Sequence, residues 1–223
     1  MEKVSKYANF EFNDSDSDFI DDLSDYLDNN VKEIFNFFEI TPNNKVKIGI
    51  ISTKQEYDKI FEERYKFTSP SSRGFYSNGR IYFLSFHDYK NTPHSYIDSE
   101  KLEALEDFKK TLVHEYVHYI NELFIKKHNC SYTAKYLVEG IAIYLSHQKD
   151  DKNIEFNFTL DMLLDKNCPY SAYYLIAKYL IENYDKSFVL ELFQSSRQAN
   201  EFLKQELFKK AKDYYSKTAS QNF

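Results

Sequence analysis

The feature that most constrains this chain is the pentapeptide His114-Glu115-Tyr116-Val117-His118, which lies inside a stretch of helical periodicity. Apolar residues recur there at spacings that put them on the buried side of a helix: Leu112, Val113, Tyr116, Val117, Ile120, Leu123 and Phe124. Each helical residue turns about 100°, so side chains four positions apart share a face. Both imidazoles therefore point the same way from a largely buried helix. Burying them beside a carboxylate without a partner is costly, and we expect a metal ion to be that partner.

A third ligand is expected from Glu139, which lies in the next predicted helix. Three protein ligands leave the fourth tetrahedral position of a zinc ion for water or a substrate carbonyl. Glu115 is rotated by about one residue from His114, which is the place of a general base that takes a proton from the bound water. Two imidazoles and one carboxylate suit Zn²⁺, with Fe(II) as the alternative, whereas Mg²⁺ prefers oxygen ligands. The pattern predicts one Zn²⁺ per chain, bound by His114, His118 and Glu139.

Composition limits the class of protein. The 223 residues are enough for one large domain, and 42% hydrophobic with 29% charged residues is typical of a soluble globular protein. A net charge of −6 with scattered basic residues argues against a nucleic-acid partner. No apolar run approaches the roughly 18 residues that a membrane helix needs, so we expect no membrane partner. Cys130 and Cys168 are expected to be free thiols.

The N-terminal stretch, Met1 to Asp18, is polar and acidic and has no apolar segment or cleavage site of a secretory signal. We therefore expect a cytoplasmic protein, and secretion after loss of a leader stays open. The acidic N-terminal helix covers the cleft in one reading and simply packs beside it in another. Neither the oligomeric state nor the identity of the substrate follows from the sequence.

The first part of the chain combines helices with short strands. Its predicted elements are a helix over Asp18 to Ile40, a strand over Lys45 to Ile51, a helix capped by Ser52 or Thr53, a hairpin over Arg73 to Phe86 that turns at Ser77-Asn78-Gly79, and a loop over His87 to Asp98. His87 and His94 in that loop are expected to be solvated rather than to bind a metal.

From the motif onward the chain is predicted to be helical. The predicted helices run from Glu100, with Ser99 as cap, to Lys127; from Tyr132 to Gln148; from Pro169 to Tyr184; from Phe188 to Phe193; and from Ala199 to Tyr215, and the stretch from Asn153 to Leu164 is ambiguous. Gly140 and Ala142, beside Glu139, are small enough to let another helix approach closely. We expect an α+β fold made of an N-terminal α/β sublobe with a small sheet, 1–98, and a helical lobe, 99–223, which together form one compact catalytic domain.

These residues resemble the gluzincins, zinc metallopeptidases with a downstream glutamate ligand, and among them the peptidase MA-like proteins and minigluzincins. His114 to His118 is similar to their zinc helix, and Glu139-Gly140-x-Ala142 is similar to their glutamate helix. Gly74-Phe75 through Ile81-Tyr82 looks like the edge strand that runs beside a bound peptide. The resemblance spans about Lys45 to Tyr184. It implies a zincin-like fold, in which a small mixed sheet places an edge strand over the active-site helix.

The resemblance also implies a further catalytic residue. The segment Pro169-Tyr170-Ser171-Ala172-Tyr173-Tyr174-Leu175 is similar to the Pro-Tyr segment of the gluzincin aminopeptidases, whose tyrosine hydroxyl stabilises the tetrahedral intermediate. That role would fall to Tyr170, with Tyr173 or Tyr174 as alternatives. The aminopeptidases carry Gly-x-Met-Glu-Asn on the edge strand to hold a free amine, and no such Glu follows Gly74. We therefore expect endopeptidase rather than aminopeptidase activity.

The expected function is a zinc-dependent peptidase that hydrolyses the bonds of a peptide or protein substrate with a metal-activated water. The substrate is expected to bind as an extra strand on the Arg80 to Ser85 edge. Two alternatives stay open at this point. One is a non-catalytic interaction module on the same fold, and the other is a metal hydrolase of non-peptide substrates.

Overall fold

The structure, a computed structural model, describes residues 1–92, 101–130, 133–149, 156–165 and 168–219. Its internal packing divides the chain into two compact units, Met1–Ile120 and Asn121–Phe223. The boundary predicted between residues 98 and 99 lies outside the described residues, so that prediction is not tested.

The first unit combines a small sheet with helices. Its elements in chain order are β1 (Glu2–Val4), β2 (Ala8–Glu11), α1 (Ser17–Phe38), β3 (Val46–Ile51), α2 (Lys54–Tyr65), β4 (Gly74–Ser77), β5 (Arg80–Leu84), the short α3 (Phe86–Tyr89) and α4 (Lys101–His128), the last of which continues past residue 120. The strands form one mixed five-stranded sheet in the order β1-β2-β3-β5-β4. The pairs β2–β3 and β3–β5 are parallel, and the outer pairs β1–β2 and β4–β5 are antiparallel.

The β4–β5 hairpin confirms the predicted turn. Asn78 and Gly79 have positive φ angles of 49° and 79°, which is the backbone of a two-residue turn between antiparallel strands. Asn and Gly tolerate this left-handed conformation better than other residues because Gly has no Cβ and Asn bonds locally. The local sequence therefore sets the register in which Ser77 pairs with Arg80.

One expectation about the sheet was wrong, and two of its strands were missed. The strand that we expected to be an open edge, Arg80 to Ser85, is internal, since β5 pairs with β3 on one side and with β4 on the other. Alternation along a sequence identifies a strand but not its neighbours, and here β4 lies at the edge among the described strands. The N-terminal strands β1 and β2 were not expected either. Ala8 and Phe10 are fully buried and alternate with less buried residues, a signal that is short and easily missed.

Helices pack on both faces of the sheet. Phe83 of β5 contacts Phe108 of α4, with ring centroids 4.7 Å apart. The other face carries a core cluster that joins α2 to the hairpin: Tyr57, Phe61, Phe75 and Leu84. Side chains of neighbouring strand residues point to opposite faces, so Phe83 packs toward α4 and Leu84 toward α2. The sheet therefore separates α2 from α4.

Helix ends follow their sequence signals. Thr53, one of the two predicted caps, accepts a hydrogen bond of 3.3 Å from the backbone N–H of Glu56 at the start of α2. The predicted cap of α4, Ser99, lies outside the described residues. His87 lies in the short helix α3 rather than in a loop, although its side chain is exposed as expected. His94 lies outside the described residues.

The second unit is helical in the residues described. Its elements after α4 are α5 (Lys135–Leu145), α6 (Leu160–Leu164), α7 (Tyr170–Asn183), α8 (Lys186–Gln194), α9 (Ser196–Phe202) and α10 (Phe208–Ala219). The single helix predicted over Ala199 to Tyr215 is divided by a π-helical segment, Leu203–Leu207. No described helix combines the length and apolar character that crossing a membrane would require.

The helices α5 and α7 pack closely, as the small residues beside Glu139 predicted. A Cβ atom added at Gly140 would lie 2.4 Å from the carbonyl oxygen of Tyr173 and 2.7 Å from the Cβ of Ala177. Real Cβ atoms do not approach backbone atoms so closely, so only glycine fits. The packing at Gly140 thereby fixes the helix that carries Glu139. Together the two units give a mixed α+β structure, which confirms the predicted class.

Candidate metal centre

His114 and His118 are brought together by α4. Their Nε2 atoms are 3.0 Å apart, and their ring centroids are 4.7 Å apart with nearly perpendicular planes. His114 is buried and His118 is half-buried. The close approach follows from their spacing of four positions on one helix. A metal bound by both rings would need the lone pairs of both Nε2 atoms.

Glu139, half-buried on α5, completes a group of three donors. His114, His118 and Glu139 each offer one ligand atom, and these atoms all lie within 4.8 Å of one another. Two ligands at zinc bond lengths of about 2.0–2.1 Å are separated by roughly 3.3 Å in a tetrahedral site, close to the observed separation of the imidazole nitrogens. Two nitrogen donors and one carboxylate oxygen fit Zn²⁺, and the same set also suits Fe(II). The structure brings the three predicted ligands together, and their binding of zinc stays a prediction.

Glu115, the predicted general base, is buried, with 7% of its surface exposed. Its side chain packs against the main chain of β4, since a Cβ atom added at Gly74 would lie 3.1 Å from the Cγ atom of Glu115. Further along, the ring of Tyr76 lies 5.9 Å from that of Tyr119. Two residues of a strand span about 6.5 Å and four residues of a helix about 6 Å, so β4 runs alongside α4. The edge strand therefore borders the face of α4 next to the histidines.

A buried polar network anchors α4 in front of the motif. Arg73 forms an ion pair with Asp107, with 3.3 Å between Nη1 and Oδ2, and donates a 2.6 Å hydrogen bond to the carbonyl of Thr92. The Tyr89 hydroxyl donates to Asp107 at 2.5 Å and lies 2.8 Å from the hydroxyl of Thr111. Burial, and after it the negative charge of Asp107, raises the pKa of Tyr89 well above its usual value, so the phenol stays a donor.

This network was not expected from the sequence, although a signal was present. Asp107, Thr111, His114 and His118 are spaced by four, three and four positions, which places them on one face of α4. A row of polar side chains on a buried helix face needs partners, and Arg73 and Tyr89 supply them at its N-terminal end. The network thus fixes the rotation of the helix that carries both histidines.

The three candidate tyrosines occupy different environments at the start of α7. Tyr170, the first residue of the helix, is 42% exposed, and its ring lies 6.1 Å from that of Tyr173. The hydroxyl of Tyr173 donates to the carbonyl of Asp165 at 3.2 Å, and a phenol has one proton to donate. Tyr174 is buried. The assignment of Tyr170 as oxyanion donor stays a prediction, and the bond to Asp165 disfavours Tyr173.

The two cysteines have no feature of a catalytic thiol. Cys130 and Cys168 are free thiols, as expected. Burial raises the pKa of Cys168 to about 11, which keeps this thiol protonated and unreactive at neutral pH.

No protein-family model matches the chain, and no curated protein matches its sequence.

Proposed function

We propose that the protein is a zinc-dependent peptidase of the gluzincin type with a zincin-like fold. The observation that carries this proposal is the convergence of one ligand atom each from His114, His118 and Glu139 within 4.8 Å. Two of the three come from an His-Glu-x-x-His helix whose middle glutamate is buried beside them. A zinc ion held there would polarise a scissile carbonyl and make water nucleophilic near neutral pH.

Glu115 acts as the general base in this proposal. Its carboxylate takes a proton from the attacking water and delivers it to the leaving amine. Since the residue follows His114 directly but points about 100° away, it can act beside the ion without being a ligand. Its burial excludes bulk water, so its charge acts in a poorly screened environment. Tyr170 is proposed to donate to the oxyanion, a contact of a kind worth roughly 3 kcal/mol.

The position of β4 supports a peptide as substrate. In an antiparallel hairpin every second residue directs its backbone N–H and C=O groups toward the partner strand. In β4 and the residue before it these are Ser77, Phe75 and Arg73, as the 2.9 Å hydrogen bond from the N–H of Leu84 to the carbonyl of Arg73 shows. The backbone groups of Gly74 and Tyr76 therefore point away from β5, where an extended peptide can pair with them. A chain bound there lies next to Glu115.

Two side-chain hydroxyl groups already donate to carbonyls of this edge. The carbonyl of Gly74 accepts from the Ser72 hydroxyl at 3.3 Å, and that of Tyr76 accepts from the Tyr65 hydroxyl at 2.9 Å. Each carbonyl keeps a second lone pair for the N–H of a bound peptide. The strand Gly74-Phe75-Tyr76-Ser77 is uncharged and offers no carboxylate to a free amine. These features favour endopeptidase over aminopeptidase activity.

The proposal is tested by digesting a peptide library with zinc-loaded protein and with Glu115→Gln. We expect the wild type to cleave internal bonds and Glu115→Gln to lose cleavage by at least about 100-fold while it keeps its zinc, because amide and carboxylate have the same shape. Cleavage at the wild-type rate by Glu115→Gln would remove the proposed base. A wild type that binds zinc but cleaves no peptide would instead favour the non-catalytic module or a non-peptide substrate.

A further inference from the structure

We propose that Gly74 is a positioning residue for Glu115: the missing side chain at this place in the edge strand leaves the space that the glutamate occupies. This inference rests on the proposed function, because it concerns the base of that reaction. It assigns a role to a residue outside the motif. The role is steric and does not depend on a charge or on a hydrogen bond of Gly74.

The contacts around Gly74 leave no room for a methyl group. A Cβ atom there would lie 2.9 Å from Cδ2 of Phe83, 3.1 Å from its Cε2 and 3.1 Å from Cγ of Glu115. The φ angle of Gly74 is not in the left-handed region, so the backbone alone does not require glycine. The requirement comes from the two side chains that close on this position.

Phe83 cannot give way as Glu115 can. Its side chain is fully buried, and its ring packs 4.7 Å from that of Phe108 and 5.9 Å from that of Tyr89. A packed aromatic ring is confined by neighbours on all sides, whereas the glutamate can rotate about its side-chain bonds. Because the ring cannot move aside, a methyl group at position 74 is pushed away from Phe83 and toward Glu115, whose Cγ atom must then give way by a few tenths of an ångström or more.

The strand itself is also prevented from retreating. Arg73, the residue before Gly74, is tied by its ion pair to Asp107 of α4, the helix that carries Glu115. Its guanidinium group also lies 4.4 Å from the centroid of the Tyr89 ring. Both sides of the contact between Gly74 and Glu115 are thus fixed to the same helix. The spacing between strand and base is set by packing.

The first experiment needs neither metal nor substrate. Urea unfolding of the metal-free protein is measured for Gly74→Ala in three backgrounds: wild type, Glu115→Gln and Glu115→Ala. Glutamine keeps the Cγ atom and alanine removes it. We expect Gly74→Ala to lower the urea midpoint equally in the wild-type and Glu115→Gln backgrounds and by a smaller amount in Glu115→Ala, where only the contacts with Phe83 remain. An equal shift in all three backgrounds would overturn the steric contact.

The second experiment measures catalysis by the zinc-loaded protein. We expect Gly74→Ala to lower kcat by about 5- to 10-fold, since a misplacement of about 1 Å at a reacting group costs about 100-fold and the contact with Glu115 calls for a shift of a few tenths of an ångström. Zinc affinity should change by less than about threefold, because Glu115 is not a proposed ligand. Gly49→Ala is the matched control in the same sheet. There the three atoms nearest to the added Cβ all belong to the end of the flexible Arg80 side chain, the closest at 2.5 Å, and kcat should stay within about twofold.

The two experiments separate this inference from the proposed function. A wild type without activity contradicts the peptidase proposal, while the midpoint shifts still decide whether Gly74 holds the side chain of Glu115. An active wild type whose Gly74→Ala variant keeps its kcat, measured at a temperature where both are folded, overturns the positioning role. An equal fall in the kcat of Gly74→Ala and of Gly49→Ala would also overturn it, because the effect would then come from a disturbance of the sheet in general.

Discussion

Arg73 and Asp107 form a buried ion pair, with 3.3 Å between Nη1 and Oδ2, that joins the start of the edge strand to the helix carrying both histidines. Both side chains are about nine-tenths buried. A buried pair contributes little net stability over a well-packed apolar pair, but breaking it leaves an uncompensated charge. The pair therefore acts mainly to fix the geometry of strand and helix.

Removing one partner of this pair should be far more harmful than removing both. We expect Arg73→Met to destabilise the protein by about 3–5 kcal/mol, because Asp107 is then buried without its counter-charge. The double variant Arg73→Met/Asp107→Leu should recover at least half of that loss. Urea unfolding at pH 7 measures both. Equal losses in the single and double variants would show that packing, and not charge pairing, holds this contact.

The close packing of α5 on α7 gives a second prediction. Gly140→Ala places a Cβ atom against the Tyr173 carbonyl, which is backbone and cannot rotate away. Overpacking of this kind typically costs about 1–3 kcal/mol, and the shift of α5 also moves Glu139. We expect a lower urea midpoint together with at least tenfold weaker zinc binding. Ala142→Gly, on the same helix, is the control for a change in the number of glycines in α5. Zinc affinity as high in Gly140→Ala as in the wild type would contradict the dependence of the Glu139 position on the packing at Gly140.

The contacts of Asp88 give a prediction about pH. Its carboxylate pairs with the ring of His87 at 2.9 Å and accepts from the backbone N–H of Lys54, at the start of α2, at 2.7 Å. The hydrogen bond with His87, and after it the one with Lys54, lowers the pKa of Asp88 below its usual value. A carboxyl with a lowered folded-state pKa stabilises the fold above its unfolded pKa, and this contribution is lost as the pH falls through the folded value.

Asp88→Ala should therefore cost about 1 kcal/mol at pH 7, the usual cost of losing a helix-capping side chain. The difference from wild type should shrink as the pH falls below the usual pKa of an unfolded aspartate, about 4, and toward the lower pKa that Asp88 has in the fold. Thermal unfolding between pH 3 and pH 7 measures this. Asp21→Ala, at an exposed ion pair with Lys3, should cost little at any pH. A difference between wild type and Asp88→Ala that does not vary with pH would contradict the role of the charge.

The identity of the oxyanion donor is decided by removing single hydroxyl groups. We expect Tyr170→Phe to lower kcat by roughly 100-fold with KM nearly unchanged, since an oxyanion contact acts mainly in the transition state. Tyr173→Phe should leave kcat near the wild-type value, because that hydroxyl donates to the carbonyl of Asp165. A loss found in Tyr174→Phe and not in Tyr170→Phe would transfer the role to Tyr174.

Much of the fold follows from local sequence. The hairpin was predicted because Asn78 and Gly79 tolerate positive φ, and α4 was predicted because its apolar residues keep a helical period. Strand neighbours depend on long-range pairing, which leaves no local mark. For that reason β5 was expected at the edge, whereas it pairs on both sides.

In the candidate metal centre, too, some features follow from local sequence and others depend on long-range contacts. His114 and His118 are four residues apart on one helix, so their approach could be predicted from spacing alone. Arg73, Tyr89 and Gly74 come from other elements and meet α4 only through the tertiary fold, and none was singled out for these contacts in advance. A motif predicts its own geometry, and the residues that support it are found only once the chain is folded.

The most direct test of the account is a zinc titration of the metal-free chain, read by calorimetry and by elemental analysis after gel filtration. We predict one zinc per chain for the wild type and for Glu115→Gln, and at least 100-fold weaker binding for His118→Ala and Glu139→Ala. Glu122→Ala, at an exposed ion pair of α4 with Lys126, should bind like the wild type. A wild type that retains no zinc, or a Glu139→Ala variant that binds it as tightly as the wild type, would contradict the proposed centre.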